Sequence, residues 1–463
     1  MISERTDVIV AGGGMAGASV AAALAELGYA VLLAEPGIDG ARRLAGELIH
    51  PPGASDLARL GLLSCLERAR GVPVKGFAVW GDAVERRREA ATPRGPDGPG
   101  TASVLPYADV SGLAPHGLAV EHGAMTEALL TEVAERPRVS VWLGARVTAL
   151  DLAEPDAVGV TLSRDGRPVT IRARFLVAAD GGSSHVRAMA GIRSTRRRLS
   201  TMIGYAVDGA APCPEFANVF AGPVPVLAYQ IQPGSVRVMF DLRKDPRGGA
   251  PSKPEPAHLA PLPPAFRAAV GRALEDQPPL VSASYSVIPE AVVKGRVVLV
   301  GDAAGCCHPL TATGLTVCTR DALRLRQALA ERDGDVPRAL ADYARRREGP
   351  QRTRLALAGA LYEAFSAQSP EMRLLRRGLL QYWARSPRGR AVSMALLSTH
   401  EGRMGVMAAE YARVAGYGLL ELLLRRPGAA RESLSFRSRA VYGLSRSTVR
   451  YAAAALSGIR TPR

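Results

Sequence analysis

Apolar positions at the start of the chain fall into a strand, a helix and a second strand. Residues 7–11, Asp7 followed by the apolar run Val8-Ile9-Val10-Ala11, read as a short buried strand. Residues 15–28 are an Ala- and Leu-rich helical stretch, and Tyr29 to Glu35 is a second apolar strand ending in an acid. The three predict a βαβ unit. Helical spacing over 54–70 and 124–135 follows, with strands around Val139–Asp151 and Val158–Ser163. Val226 to Arg243 alternates about a Pro233-Gly234 turn, which predicts an antiparallel hairpin. Residues 84–101, rich in Arg, Pro and Gly, read as a loop, and 245–264 as a Pro-rich connector. From Asp321 the pattern is almost wholly helical, with interruptions at Pro370, Pro387 and Pro427. The fold class expected is α/β, with an inserted antiparallel sheet and a helical C-terminal region.

Three motifs then add chemistry. Gly12-Gly13-Gly14-Met15-Ala16-Gly17 is a GxGxxG between strand and helix. Gly12 permits the tight turn, Gly14 lets the backbone approach a pyrophosphate, and Gly17 allows close helix–strand packing. Phosphates bind at such a helix N-terminus because its unpaired N–H groups and dipole attract negative charge. Glu35 is placed to take ribose hydroxyls. Together these features make the first domain Rossmann-like and dinucleotide-binding. The second motif, Phe175 to Arg187, is a buried strand delivering Asp180-Gly181 into the head of a helix. The third is Arg296-Val-Val-Leu-Val-Gly301-Asp302, followed by His308-Pro309-Leu310-Thr311-Ala312-Thr313-Gly314-Leu315. Asp302 can accept hydrogen bonds from ribitol hydroxyls, and the Gly314 segment opens a helix. As isolated fragments, the second and third would pass for ordinary strand–turn–helix corners.

GxGxxG, Asp-Gly and Gly-Asp in this order resemble the layout of FAD-dependent monooxygenases of the para-hydroxybenzoate hydroxylase type. The resemblance narrows to squalene epoxidases on further segments. Gly46-Glu47-Leu48-Ile49-His50-Pro51-Pro52-Gly53, running into Leu60-Gly61-Leu62, is similar to the stretch after that family's second strand. Pro225 to Ile231 is similar to its inserted-sheet strand, and Ala360 to Phe365 and Ala395 to Ser398 to its C-terminal helices. The resemblance covers nearly the whole chain.

The resemblance implies an FAD-binding domain over 1–200 and 285–345. It implies a substrate-binding sheet over 201–284, joined by part of 70–125, and a helical, basic, membrane-associating region over 346–463. It places Met15, Ala16, Glu35, Arg43, Leu48, Val147, Asp302 and Leu315 along FAD, beside the motif residues Gly12, Gly14, Gly17, Asp180 and Gly314. Three departures stand near the reacting centre. Ala124 replaces a flavin-contacting Arg, Ala312-Thr313-Gly314 replaces a Gly-rich run, and His50 replaces an active-site Gln expected to meet a Tyr. Tyr107 fits that Tyr. His50 is a candidate to donate a hydrogen bond or to titrate near neutrality; its plainer role is that of a packed loop histidine. His308 reads as a turn-shaping residue rather than a base.

The implied reaction uses O₂ and NAD(P)H and transfers oxygen through a C4a-hydroperoxyflavin to an electron-rich C=C. The substrate is a hydrophobic isoprenoid or a prenylated quinolone or quinone. The cofactor carries the hard chemistry, so no protein nucleophile is needed. A separate flavin-reducing partner is a further expectation. A reductase of prenyl double bonds shares the fold and is the alternative. A halogenase is disfavoured because Trp80, Trp142 and Trp383 are isolated.

Composition changes the picture in two places. The 463 residues carry a formal net charge of +16. Residues 371–463, with 17 Arg, five Glu and no Asp, supply most of it. No helix-turn-helix, zinc or RNP-type motif accompanies those Arg residues and aromatics are only 5%, so nucleic acid is not the expected partner. The stretch 404–424 mixes Met, Leu and Tyr with Glu410, Arg413 and Glu421, which suits a helix lying on a membrane surface rather than crossing it. Tyr411, Tyr417, Tyr442 and Tyr451 fit the same reading; the plain alternative is a solvated helical face. The five cysteines form no CxxC pair and no zinc spacing, and Cys306, Cys307 and Cys318 read as small packing residues. No disulfide framework and no metal site is expected. With no signal peptide at Met1–Asp7, the expected location is cytoplasmic and peripheral to the membrane.

Overall fold

A strand buried on both faces needs apolar side chains at every position, and Val8-Ile9-Val10 supply them. A computed structural model of the chain describes residues 5–37, 44–81, 102–222, 224–243, 253–367, 369–424 and Gly443. In it the strand Arg5–Ala11 lies in a sheet between Val31–Glu35 and Arg167–Ala178, parallel to both. Val297–Leu299 and Val139–Leu143 extend the parallel ladder on either side. Val8, Val10, Val31, Leu33, Phe175 and Val177 feed a core on one face of this sheet. Ile9, Ala11, Leu32, Ala34, Leu176 and Ala178 feed a second core on the other. The period-2 geometry of a strand splits one apolar run between two cores.

The chain divides into two compact units. The first comprises Met1–Val72, Gly117–Leu199 and Ser282–Glu348, and the second Pro73–His116, Ser200–Val281 and Gly349–Arg463. The helical C-terminal segment thus groups with the inserted sheet. In the first unit the helix Met15–Glu26 follows the glycine turn, as its composition predicts. The stretch 54–70 instead forms two helices, Pro51–Arg59 and Leu63–Arg68. Gly61, at φ +64, ends the first of them in the left-handed conformation that favours glycine. The expected strand at 139–151 is likewise two, Val139–Leu143 and Ala145–Asp151, the second belonging to an antiparallel meander with Val158–Arg164.

In the second unit the hairpin forms as its alternation predicts, with Val226–Gln232 paired to Ser235–Leu242. Ser194–Asp208 joins it from Thr201 onward, and Ala217–Phe220 continues the sheet towards Gly76–Trp80 and Ser103–Pro106. Part of the expected Pro-rich connector is the start of a helix, Pro264–Asp276. Phe266, Val270 and Leu274 bury its apolar stripe in the same core as Phe220 and Phe240. The expected loop at 84–101 lies outside the described residues.

Pro370 and Pro387 open helices rather than interrupt them. Each is the first residue of its helix, Pro370–Arg385 or Pro387–Leu397, where the missing N–H costs nothing. Ser369 and Ser386 cap them by accepting from the amides of Met372 and Gly389. Pro427 lies outside the described residues. The last described helix, Met404–Leu424, crosses Pro370–Arg385 at two glycines. A Cβ on Gly378 would lie 2.4 Å from Val414 O, and one on Gly418 would lie 2.9 Å from Leu374 O.

That crossing changes the reading of the tail. Glu410 is buried, ion-paired to Arg413, and accepts from Tyr382 Oη at 2.6 Å. Tyr411 is buried and Tyr417 packs on Tyr382 with ring centroids 5.2 Å apart. Of the tyrosines expected at a lipid interface, Tyr411 and Tyr417 are thus placed otherwise, and Tyr442 and Tyr451 lie outside the described residues. No described helix is long and apolar enough to cross a membrane. Replacing Gly378 by Val should force the two helices apart at a cost of about 3 kcal/mol. The urea midpoint of unfolding reads this, and an unchanged midpoint would mean the crossing is not close-packed.

Candidate functional site

Parallel strands deliver all three motifs to the same end of the first unit's sheet. Ala179 N donates to Ala11 O at 2.8 Å, and Val300 N to Ala178 O at 3.0 Å, so the three strands end side by side. In open α/β sheets, ligands bind in the crevice beyond such strand ends.

The glycines of the first turn divide by what surrounds them. Gly12 sits at φ +102, and a Cβ there would be 2.6 Å from Ala179 O. A Cβ on Gly17 would be 1.7 Å from Gly12 O. Both positions require glycine for the backbone itself to close. Gly14 is different, because a Cβ there would meet nothing within 4 Å. It faces open space where a ligand can come close. Gly14 is also the N-cap of Met15–Glu26, with no side-chain cap and no acid in the first turn, so no side chain of the helix itself occupies its N-terminus. Glu35 leans onto the turn, accepting from Gly13 N at 2.6 Å and Gly37 N at 3.1 Å. Arg43 lies outside the described residues.

The second motif is built as a brace. Asp180 accepts from Ser184 Oγ and from Val186 N at 3.0 Å, so its carboxylate orders the turn and the head of the short helix His185–Met189. Arg187 was not singled out in the sequence and is the missed residue here. Its guanidinium donates to Ala303 O at 2.8 Å and to Gly182 O at 2.9 Å, joining the Asp-Gly and Gly-Asp turns. The only signal for it was an Arg within the second motif.

The third motif closes the ring. A Cβ on Gly301 would lie 2.9 Å from both Ala16 Cβ and Cys318 Sγ, so this turn packs on the first helix. Asp302 is half-buried in the short turn Gly301–Ala304, and a Cβ on Gly314 would be 3.9 Å from its Oδ1. Gly314 opens the helix Gly314–Glu331, which has no side-chain cap and no acid in its first turn. Gly46 neighbours Leu315, whose Cγ would be 3.2 Å from a Cβ there. Leu48, Val147 and Leu315 are buried.

The departures also have definite environments. His50 is fully buried, its N–H donating to Thr316 Oγ1 and its Nε2 lying 3.0 Å from Thr311 O. A carbonyl only accepts, so Nε2 carries the proton. Burial lowers the His50 pKa to about 4, against a smaller upward pull from Thr311. The expectation of titration near neutrality is therefore corrected: the imidazole is a neutral, fixed donor. Ala124, in the first turn of His122–Ala134, donates its N–H to Glu121 at 2.8 Å. Ala312 adopts φ 51, a left-handed conformation that an alanine enters only under strain. His308 accepts from Leu310 N through Nδ1 and shapes its turn as expected. Tyr107 belongs to the second unit, where it is fully buried and the helix Pro387–Leu397 packs on its turn; burial holds its phenol well above the ordinary range.

The model called Squalene epoxidase matches residues 172–434, more than half the chain, and an FAD binding domain model matches 5–241. The chain belongs to the squalene epoxidase family. Squalene epoxidase erg1 of Aspergillus fumigatus is 29% identical over 402 residues, covering 82% of this chain and 79% of that one. Ubiquinone hydroxylase UbiL of Rhodospirillum rubrum is 31% identical, covering 80% and 84%. Among solved structures, p-nitrophenol 4-monooxygenase PnpA of Pseudomonas putida shares the fold at a TM-score of 0.70 and 19% identity, covering 86% of this chain and 99% of that one. The protein is an FAD-dependent monooxygenase, with NAD(P)H the typical reductant of its family. Family membership implies a hydrophobic substrate and O₂.

The residues present fit FAD: an open Gly14, two uncapped helix N-termini, and carboxylates at Glu35 and Asp302. If Gly12 and Gly17 close the backbone while Gly14 meets the ligand, their alanine variants should differ. Gly14→Ala should keep its thermal midpoint as apoprotein yet retain less flavin after gel filtration. Gly17→Ala should lower the midpoint itself. Equal behaviour of the two would refute the division.

The buried neutral His50 sets a pH dependence. Unfolding exposes an imidazole that titrates at 6.5, whereas the folded value is about 4. Its contribution is complete above pH 6.5 and is lost as pH falls towards 4, by roughly 3 kcal/mol in full. His50→Gln keeps a donor for Thr311 O and removes this loss, so urea titrations at pH 7 and pH 4.5 should show a smaller difference than in the parent. An equal pH dependence would place the titration elsewhere.

Proposed function

We propose that this enzyme inserts one oxygen atom of O₂ into an electron-rich C=C of a hydrophobic isoprenoid or prenylated aromatic, at a membrane surface. The observation that carries the substrate class is the pair of matches at 29% and 31% identity to a squalene epoxidase and a ubiquinone hydroxylase. Both named substrates are isoprenoid lipids, one a hydrocarbon and one a quinone ring with a prenyl tail. Bound FAD would supply the activated oxygen. Gly14, Met15 and Ala16 would present the helix N-terminus to the pyrophosphate, Glu35 would take ribose hydroxyls, and Asp302 the ribitol. Leu48, Val147 and Leu315 would line the flavin. His50 would hold the 48–53 segment to Thr311 and Thr316 while bringing no titratable charge to the site. Tyr107 would present its phenol on the substrate side. Keeping water out is the remaining task of such a site, because activated oxygen that meets water is lost without product.

The departures at His50, Ala124 and Thr313 favour a specialised ring-bearing substrate beside squalene. A membrane surface suits the lipid substrate, and the charge of residues 371–463 suits anionic headgroups. A separate flavin-reducing partner remains part of the reading. Anaerobic reduction with NADH or NADPH, followed by O₂ and competing squalene and a prenylated quinone, tests the substrate. The expected product is one of these made heavier by a single oxygen atom. NAD(P)H consumption with neither product would reject the substrate class. Cutting the chain after Leu424, which spares the Gly378–Gly418 crossing, should lower recovery with anionic vesicles; unchanged recovery would reject the surface role of the residues beyond.

A further inference from the structure

The Gly301–Ala304 turn leaves the sheet sharply, with Gly301 at φ +55, and buries most of its backbone. Buried peptide groups must find partners, and a turn this short cannot supply its own. Beside Arg187, which takes Ala303 O, two residues that no motif contains supply them. Arg347 donates Nη1 to Ala304 O at 2.9 Å and Nη2 to Gly301 O at 3.4 Å. Its Nε donates to Asp321 Oδ2 at 2.9 Å, and the same carboxylate oxygen accepts from Gly301 N at 3.0 Å. Asp321 and Arg347 are 0% and 3% exposed at the side chain. One helical turn before Arg347, Tyr343 donates to Leu299 O at 2.9 Å, fixing the end of the strand that leads into the turn. Asp321 stands on the Gly314–Glu331 helix and Arg347 on Val336–Ser366, so two helices grip one four-residue turn.

A buried ion pair is a poor stability device, because desolvation offsets most of its attraction. Here it takes three backbone groups of the turn that carries Asp302, and the planar guanidinium reaches two carbonyls and the carboxylate at once. We propose that Asp321 and Arg347 are positioning residues for FAD: they fix the Gly301–Ala304 turn so that Asp302 is held pointing at the cofactor. This rests on the assignment of Asp302 to the cofactor, and the test separates the two.

The test replaces the pair by apolar residues in the full chain, Asp321→Leu with Arg347→Met. The thermal midpoint of the apoprotein and the FAD dissociation constant, read by quenching of flavin fluorescence, are measured together. The midpoint should fall, because three buried backbone groups lose their partners, and FAD binding, read at a temperature where both apoproteins are folded, should weaken about tenfold. Asp302→Asn alone should weaken FAD similarly, and adding it to the pair variant should cost little more, since both act through one carboxylate. Arg347→Lys, which keeps charge but cannot span both carbonyls, should fall between parent and double variant. Unchanged FAD affinity in the pair variant and in Arg347→Lys, with Asp302→Asn weakened, would overturn the positioning role alone. An unaffected Asp302→Asn would overturn the Asp302 assignment and the proposal with it. Should the pair variant fail to fold, Arg347→Lys decides by the same affinity.

Discussion

Backbone contact without side chains is the constraint that makes this site possible. Gly17 places the first helix so close to Gly12 O that a Cβ would overlap it at 1.7 Å. Gly12 in turn meets Ala179 O, and Gly301 meets Ala16 and Cys318. Each approach removes volume that ordinary residues would fill, and together they gather three separated chain segments at the strand ends. A closely packed interior transmits such contacts rigidly, and Gly14 alone of these turn glycines faces open space. The helix N-terminus so placed has no side-chain cap and no acid in its first turn, the setting that anions favour.

Much of this was legible in the chain. Val8-Ile9-Val10 announces a strand buried on both faces, while Asp-Gly and Gly-Asp, ordinary corners one by one, gain meaning only through the resemblance that their order after GxGxxG carries. The hairpin at 226–242 was, like the strand, local. What escaped was set by distant partners. Helix Pro264–Asp276 hides behind prolines, and its apolar stripe makes sense only against the sheet that it covers. Pro370 and Pro387 taken alone fit a helix end as well as a helix start; the serine before each, an N-cap, decides for the start. Arg347 gave no signal and Arg187 only its place within the second motif, since a buried Arg in an Arg-rich chain differs from an exposed one only in the carbonyls it meets.

The same limit applied to chemistry. An imidazole at position 50 promised a group that titrates near neutrality, yet full burial and the Thr311 carbonyl make it a fixed neutral donor. The four tyrosines of the basic tail looked like one set of interfacial anchors, but Tyr411 and Tyr417 pack within a helix pair. The net charge of +16 points to no function by itself.

The claim that oxygen is transferred from O₂ to substrate is open to a direct isotope experiment. Turnover under ¹⁸O₂ in ordinary water, with the product analysed by mass spectrometry, should place one ¹⁸O atom in each product molecule. The reverse labelling, ¹⁶O₂ in H₂¹⁸O, should leave the newly formed C–O bond unlabelled. A product that takes its oxygen from water, or a saturated product with no new oxygen, would contradict the assignment of this site to monooxygenation.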